Sequence, residues 1–269
     1  MIDGTVGMGG HAEAVLALSG AGVRLLGLDA DPDALARASA RLARFGDRVR
    51  LVHANFRDLV GVARAHGVGQ ARSALLDLGV SSLQLDESGR GFSFQRDEPL
   101  DMRLDPTRGE TAADLLNHLD EATLARIIQE HGEERYARRI ARVIVRRRPL
   151  RTTGELVAAV RAAVPRAAWP RRTHVATRTF QALRMAVNDE TGALRQTLQE
   201  IPNLLAIGGR LGVISFHSGE DRIVKQTFRA LSSTRYVELE PSPLTPGDDE
   251  VRANPRARSA KLRVLERMV

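Results

Sequence analysis

The chain opens on two residues, Met1 and Ile2, then an acid and a glycine-rich turn, and a helix-forming run at 12–18 follows directly. Short, nearly continuous apolar runs recur at 23–29, 49–56 and 73–82, the pattern of strands covered on both faces. Between the first two, Asp31-Pro32 caps a predicted helix that reaches about Arg44, because proline suits a first turn. Strands alternating with helices in this way predict an α/β fold on a parallel sheet. From Leu83 to Pro106 the periodicity lapses into a polar, glycine-containing loop, a length that usually signals function. Phe92, Phe94 and Met102 within it argue for order.

Beyond that loop the rhythm is helical. The strongest helix spans 133–147, with Ala137, Ile140, Ala141 and Ile144 on one face and Arg135, Arg138, Arg139, Arg142 and Arg146 on the other. Pro149 ends it, Thr152 or Thr153 caps the next helix, and Pro165 and Pro170 close the segment. The predicted organisation is a sheet domain in two parts, 1–105 and 173–269, interrupted by an all-helical domain at 106–172. In the second part, helices are predicted at 173–187, 190–206 and 221–231, and a fifth strand enters through Gly208-Gly209 and ends at His217. The proline-rich stretch 241–255 reads as loop, and the period-two alternation of 259–267 predicts an edge strand.

Composition narrows the chemistry. The chain has no cysteine, which excludes disulfides, a thiolate zinc site and a cysteine nucleophile. Its seven histidines lack the paired spacing of a metal site, so no structural metal is expected. No apolar run approaches the roughly 20 residues of a membrane span, and no basic-then-apolar leader opens the chain; a soluble, cytoplasmic protein is the expectation. The net charge is +7, and only Lys225 and Lys261 among the 40 basic residues are lysine. Such an arginine excess is the footprint of a polyanion binder, although an arginine-rich genome produces the same bias. The arginine face of 133–147 accordingly has two readings, phosphate contact or a solvated face paired with acids such as Glu130 and Glu134.

The first turn carries the sharpest chemical signal. Asp3 is followed by glycines at 4, 7, 9 and 10, a strand that ends, turns tightly and enters a helix with bare backbone exposed to a ligand. The spacing Gly7-x-Gly9-Gly10 differs from the Gly-x-Gly-x-x-Gly of pyrophosphate cofactors, and Asp3 is placed to face a ligand amine; both lean towards S-adenosylmethionine. Asp29 lies about 20 residues beyond the turn, the separation at which a carboxylate reaches a ribose diol. Phe56, at the end of the third predicted strand, reads equally as an adenine neighbour or a core residue. Asp77 interrupts the apolar fourth strand at its ligand end, where an unpaired buried carboxylate would be costly.

Taken together, these motifs resemble one family, the bacterial 16S ribosomal RNA (cytosine-N4)-methyltransferases of the MraW type. The resemblance rests on Asp3-Gly-Thr-Val-Gly-Met-Gly-Gly-His11, Asp77-Leu-Gly-Val-Ser-Ser82 with Gln84-Leu-Asp86, Arg90-Gly-Phe-Ser-Phe94, Pro99-Leu-Asp-Met-Arg103, Thr177-Arg-Thr-Phe-Gln-Ala-Leu-Arg184 with Asn188-Asp-Glu190, and Ile214-Ser-Phe-His-Ser218 with Glu220-Asp-Arg222. It implies a Rossmann-like (class I) S-adenosylmethionine-dependent methyltransferase sheet with an inserted all-helical domain. It also implies methyl transfer to a cytidine amine in the P-site region of 16S ribosomal RNA in the small subunit. By matching motif, Gly9, Gly10, His11, Asp29, Phe56, Asp77 and Gln84 would bind the cofactor. Candidates for accepting an amine proton are Asp77, His217 and the serines at 81 and 82; Arg138, Arg142, Arg184 and Asn188 are expected to contact RNA. A homodimer is compatible with the sequence.

Three departures stand beside the match. Leu83 and Gly219 replace the family's usual proline and leucine, Asp77-Leu-Gly-Val lacks the Asn/Asp-Pro-Pro-aromatic motif of many amino-methyltransferases, and the first strand is expected to be a stub. Two other readings are a nicotinamide-dependent oxidoreductase on the same fold and a non-catalytic ribosomal RNA binding or assembly factor.

Overall fold

The computed structural model describes residues 1–171, 173–232 and 235–269. The chain first lays down β1 (Ile2–Asp3), α1 (Gly10–Leu18), β2 (Leu25–Asp29), α2 (Pro32–Leu42), β3 (Val49–His53), α3 (Leu59–Ala65) and β4 (Ala71–Asp77). Helices α4 (Ser82–Asp86), α5 (Ala112–His118), α6 (Glu121–Gly132), α7 (Ala137–Arg146), α8 (Thr153–Ala163) and α9 (Thr177–Val187) follow. The chain then returns through α10 (Glu190–Glu200), β5 (Leu205–Ser215), α11 (Ser218–Leu231), β6 (Tyr236–Glu238), α12 (Asp248–Ala253) and β7 (Lys261–Arg267).

The strands form one sheet in the order β3-β2-β1-β4-β5-β7-β6, with β7 antiparallel to both its neighbours. The remaining pairs are parallel, giving a Rossmann-like α/β sheet whose order reverses at β1 and β4. Such a switch point places ligands outside the carboxyl ends of the strands. Although β1 is only two residues long, it is held on both sides, Ile2 opposite Leu26 and Ala74 and Asp3 opposite Gly27 and Leu75. Both residues are fully buried. One face of the sheet packs Leu26, Leu76 and Val213 against Leu59, Leu198 and Phe228 of the flanking helices; Val6, Ala12, Leu16, Ala38 and Leu42 fill a separate cluster with Leu25.

The sheet corrects one expectation. Strand β7 is not an edge: it lies between β5 and β6, with Arg263 and Leu265 buried. Period-two alternation reports that one face is covered, and is silent about whether both flanks are paired. The edge on that side is β6, whose three residues are too short to show a period.

The chain divides into two compact units, Met1–Gly79 with Thr191–Val269, and Val80–Glu190. The helical unit is therefore wider on both sides than the expected 106–172. Residues of the long loop join its core, where Phe92, Leu100 and Met102 lie with Leu124, Ile140, Leu156 and Phe180. Arg90 donates through Nη1 to the carbonyls of Arg103 and Leu104, both at 3.1 Å, and Met102 N donates to Arg90 O at 2.8 Å. Gly91 takes φ +75°, and a side chain there would meet Pro99 O at 2.3 Å, so only glycine lets the two halves of the loop touch. Helix α7 starts at Ala137 rather than Glu133, because Glu133 ends α6 in the left-handed region at φ 48°.

Candidate functional site

Three adjacent strands, β2, β1 and β4, each end on an aspartate: Asp29, Asp3 and Asp77. The glycine turn passes over them. Gly9 sits at φ 82° as the residue before α1, and no side chain caps that helix, so its first N–H groups are left for water or a ligand. The turn is tied down by Val6 N to Leu28 O, Gly9 N to Val6 O and Gly7 N to Asp29 Oδ2, all at 2.8 Å.

Asp3 is fully buried; its Oδ1 accepts from Thr5 N at 3.2 Å, while Oδ2 is buried without a hydrogen-bond partner. Burial pushes its pKa up to about 7, against the lowering effect of the Thr5 amide and of His11. Asp29 accepts from Gly7 N and Asp31 N, yet burial still raises it to about 6. Asp77 Oδ2 pairs with His11 Nε2 at 3.2 Å, and Asp77 Oδ1, like Asp3 Oδ2, is buried without a partner among the described residues. The hydrogen bond to Asp77 holds His11 above its ordinary pKa. The backbone of Asp77 is anchored from below, its N–H donating to Thr5 Oγ1 at 2.6 Å.

Two buried carboxylate oxygens at neighbouring strand ends and an uncapped helix start after the same turn suit a small zwitterion, or a cation with a carboxylate of its own. An anion would meet three aspartates. The predicted residues Gly9, Gly10, His11, Asp29 and Asp77 therefore do come together. Phe56 stands just past β3, half-buried against the sheet core, with its carbonyl accepting from Thr197 Oγ1 at 3.1 Å. Thr5 was absent from the expectations, since its link to Asp77 spans 72 residues and a lone threonine in a glycine turn gives no sign of it.

Other predicted residues have different tasks. His217 precedes α11 and accepts Glu220 N on Nδ1 at 3.3 Å; its Nε2 stands 3.1 Å from Glu220 Oε1 but is out of line for a hydrogen bond. His217 thus caps α11. Within the helical unit, Ser81 and Gln84 form a capping box on α4, and Gln84 is buried. Arg184 makes a two-pronged pair with Glu190, 2.7 Å on each arm. Asn188 accepts Leu104 N at 2.7 Å and donates to Met102 O and Arg184 O at 2.8 Å. Asn188 thereby ties the loop to the end of α9, and Arg184 ties α9 to α10.

The arginine stripe behaves as the amphipathic pattern requires. Ala137, Ile140, Ala141 and Ile144 are buried, and Arg135, Arg138, Arg139, Arg142 and Arg146 are exposed. Arg142 meets Glu121 at 3.3 Å, a solvent-exposed pair of at most ~1 kcal/mol. Glu134, the suggested neutralising acid, instead accepts Tyr136 N.

The profile of the MraW methylase family matches residues 1–268. The ribosomal RNA small subunit methyltransferase H of Geobacter sp. (strain M21) is 49% identical over 286 residues, covering 99% of this chain and 92% of the relative. Its counterpart from Heliobacterium modesticaldum is 52% identical over 288 residues, with 99% and 92% covered.

Proposed function

Because this chain belongs to the MraW methylase family, we propose that it moves a methyl group from S-adenosylmethionine to the N4 amine of a cytidine in the decoding region of 16S ribosomal RNA. The observation that carries the donor assignment is the pair of partnerless carboxylate oxygens, Asp3 Oδ2 and Asp77 Oδ1, at the ends of adjacent strands. They suit a ligand that brings an ammonium and a sulfonium, whereas a dinucleotide would bring its pyrophosphate against the same carboxylates. The oxidoreductase reading loses its support on that ground.

In this reading Asp3 and Asp77 face the cationic methionine end, the first N–H groups of α1 take its carboxylate, Asp29 holds the ribose and Phe56 flanks the adenine. When bound, the donor supplies a methyl group on a positively charged sulfur that leaves as a neutral thioether. The cytosine amine is a weak nucleophile, so the protein's contribution would be to hold it in place beside the donor and to exclude water. Asp77, steadied by Thr5 and His11, would be engaged by the donor, so the amine proton would leave late and without a strong base. Arg138 and Arg142 supply phosphate contacts from the helical unit.

The test uses labelled S-adenosylmethionine and small ribosomal subunits from a strain lacking the activity, followed by nucleoside analysis. Label in N4-methylcytidine is the expected result. Cofactor binding by calorimetry with no transfer to any subunit would favour a binding or assembly factor.

A further inference from the structure

At the margin of the helical unit's core, Phe94 and Trp169 pack against it yet stay half-buried, next to exposed arginines. Phe94 stacks on His174, 4.5 Å between ring centres with 24° between planes, and meets Phe180 edge-on at 5.3 Å. Trp169, between α8 and α9, donates its indole N–H to Val164 O at 3.1 Å, which fixes the ring. The guanidinium carbons of Arg161 and Arg166 lie 5.8 and 5.9 Å from its centre, and Arg161 also reaches His174 Nε2 at 3.1 Å. Phe94, Trp169 and His174 are half-buried; Arg161, Arg166 and Arg171 are exposed.

Charge makes the cluster unusual. From Arg135 to Arg178 the chain has thirteen arginines and one acid, Glu155, and the Glu155 carboxylate is already taken by the N–H groups of Arg151 and Thr152. Burial and the neighbouring Arg161 hold His174 below its ordinary pKa, which keeps it a neutral, stackable ring. Flat half-exposed rings beside unneutralised guanidinium groups match a ligand that alternates π-faces with phosphates. That is the chemistry of unpaired RNA, whose bases stack on aromatic side chains while arginines take the backbone.

We propose that Phe94, Trp169 and His174, with Arg161 and Arg166, form a second RNA-binding surface that holds single-stranded nucleotides by stacking and phosphate pairing. The proposal rests on the reading of the chain as a ribosomal RNA methyltransferase and adds to it a contact beyond the target base.

Trp169 is the only tryptophan in the chain, so the emission of the full, unsubstituted protein, excited where its two tyrosines do not absorb, reports on this surface. Titration with a short mixed-sequence oligoribonucleotide is expected to give a saturable loss of fluorescence, while inorganic polyphosphate, which has charge and no bases, gives none. Arg161→Gln with Arg166→Gln is expected to make the slope of log affinity against log salt shallower by about 1.4, two phosphates at about 0.7 each for a single strand. RNA binding seen by anisotropy with tryptophan fluorescence unmoved would overturn the proposal, as would the parent salt slope in the double variant. Failure of the functional reading is distinct: it appears as no methyl transfer to small subunits.

Discussion

At the scale of single residues, the decisive feature is a carboxylate held where it would otherwise be avoided. Asp3 is fully buried with one oxygen unpartnered, and its pKa is displaced upward from 3.8 to about 7. A carboxyl whose folded pKa exceeds its unfolded value keeps its proton in the folded state while the unfolded chain has lost it. Stability is therefore undiminished below the unfolded value and falls as pH rises from about 4 to about 7. His11, raised chiefly by its hydrogen bond to Asp77, acts in the same direction, more weakly because it is half exposed. Relative to Asp3→Asn, the ligand-free protein is expected to lose on the order of 2 kcal/mol between pH 5 and pH 8. Denaturant melts of both proteins across that range check it; parallel pH profiles would show that Asp3 is not the responsible group. The same substitution should weaken S-adenosylmethionine binding and remove the proton that binding releases near pH 6, seen by calorimetry in buffers of different ionisation heat. Such a residue sacrifices stability for a charged ligand.

At the scale of elements, several motifs that look functional in the sequence turn out to join one segment to another. Arg90-Gly-Phe-Ser-Phe94 and Pro99-Leu-Asp-Met-Arg103 hold each other through Arg90 and Met102, and Asn188 fastens the same loop to the end of α9. Asn188→Ala would strand the Leu104 N–H and remove two donated bonds. The expected cost is about 2 kcal/mol, with fast hydrogen exchange at the Leu104 amide and an unchanged salt slope for RNA binding. A changed slope with unaltered exchange would restore Asn188 as an RNA contact. What was legible in the sequence follows the same division. Asp3, Asp29 and Asp77 could be read as a set because each closes an apolar run, and the inward and outward faces of α7 follow from its period. The Thr5 link to Asp77 and the pairing that makes β7 an interior strand are long-range and leave no local pattern. The capping contact of His217 is equally invisible, because a histidine that caps a helix and one that serves as a base occupy the same kind of strand-end position.

At the scale of the whole molecule, charge is distributed unevenly along the chain, as the proposed function requires. The strand-end site gathers three aspartates, whereas residues 135–178 hold thirteen arginines against one acid. A cationic donor and a polyanionic acceptor need opposite fields, and salt separates them. Contacts at buried carboxylates are screened little, while exposed arginine–phosphate contacts weaken with a slope close to the number of phosphates neutralised. Raising salt from 50 to 200 mM should thus raise the KM for ribosomal subunits steeply and leave the dissociation constant of S-adenosylmethionine nearly unchanged. Arg138→Glu with Arg142→Glu should raise the subunit KM about tenfold or more and flatten its salt dependence, because two of the contacts would be repulsive. Turnover at saturating subunit and cofactor affinity should both stay at the parent value, since neither arginine belongs to the strand-end site. An unchanged KM would reduce the α7 stripe to a solvated face; a fall in turnover without a change in KM would show that the stripe acts after binding, in positioning the acceptor base.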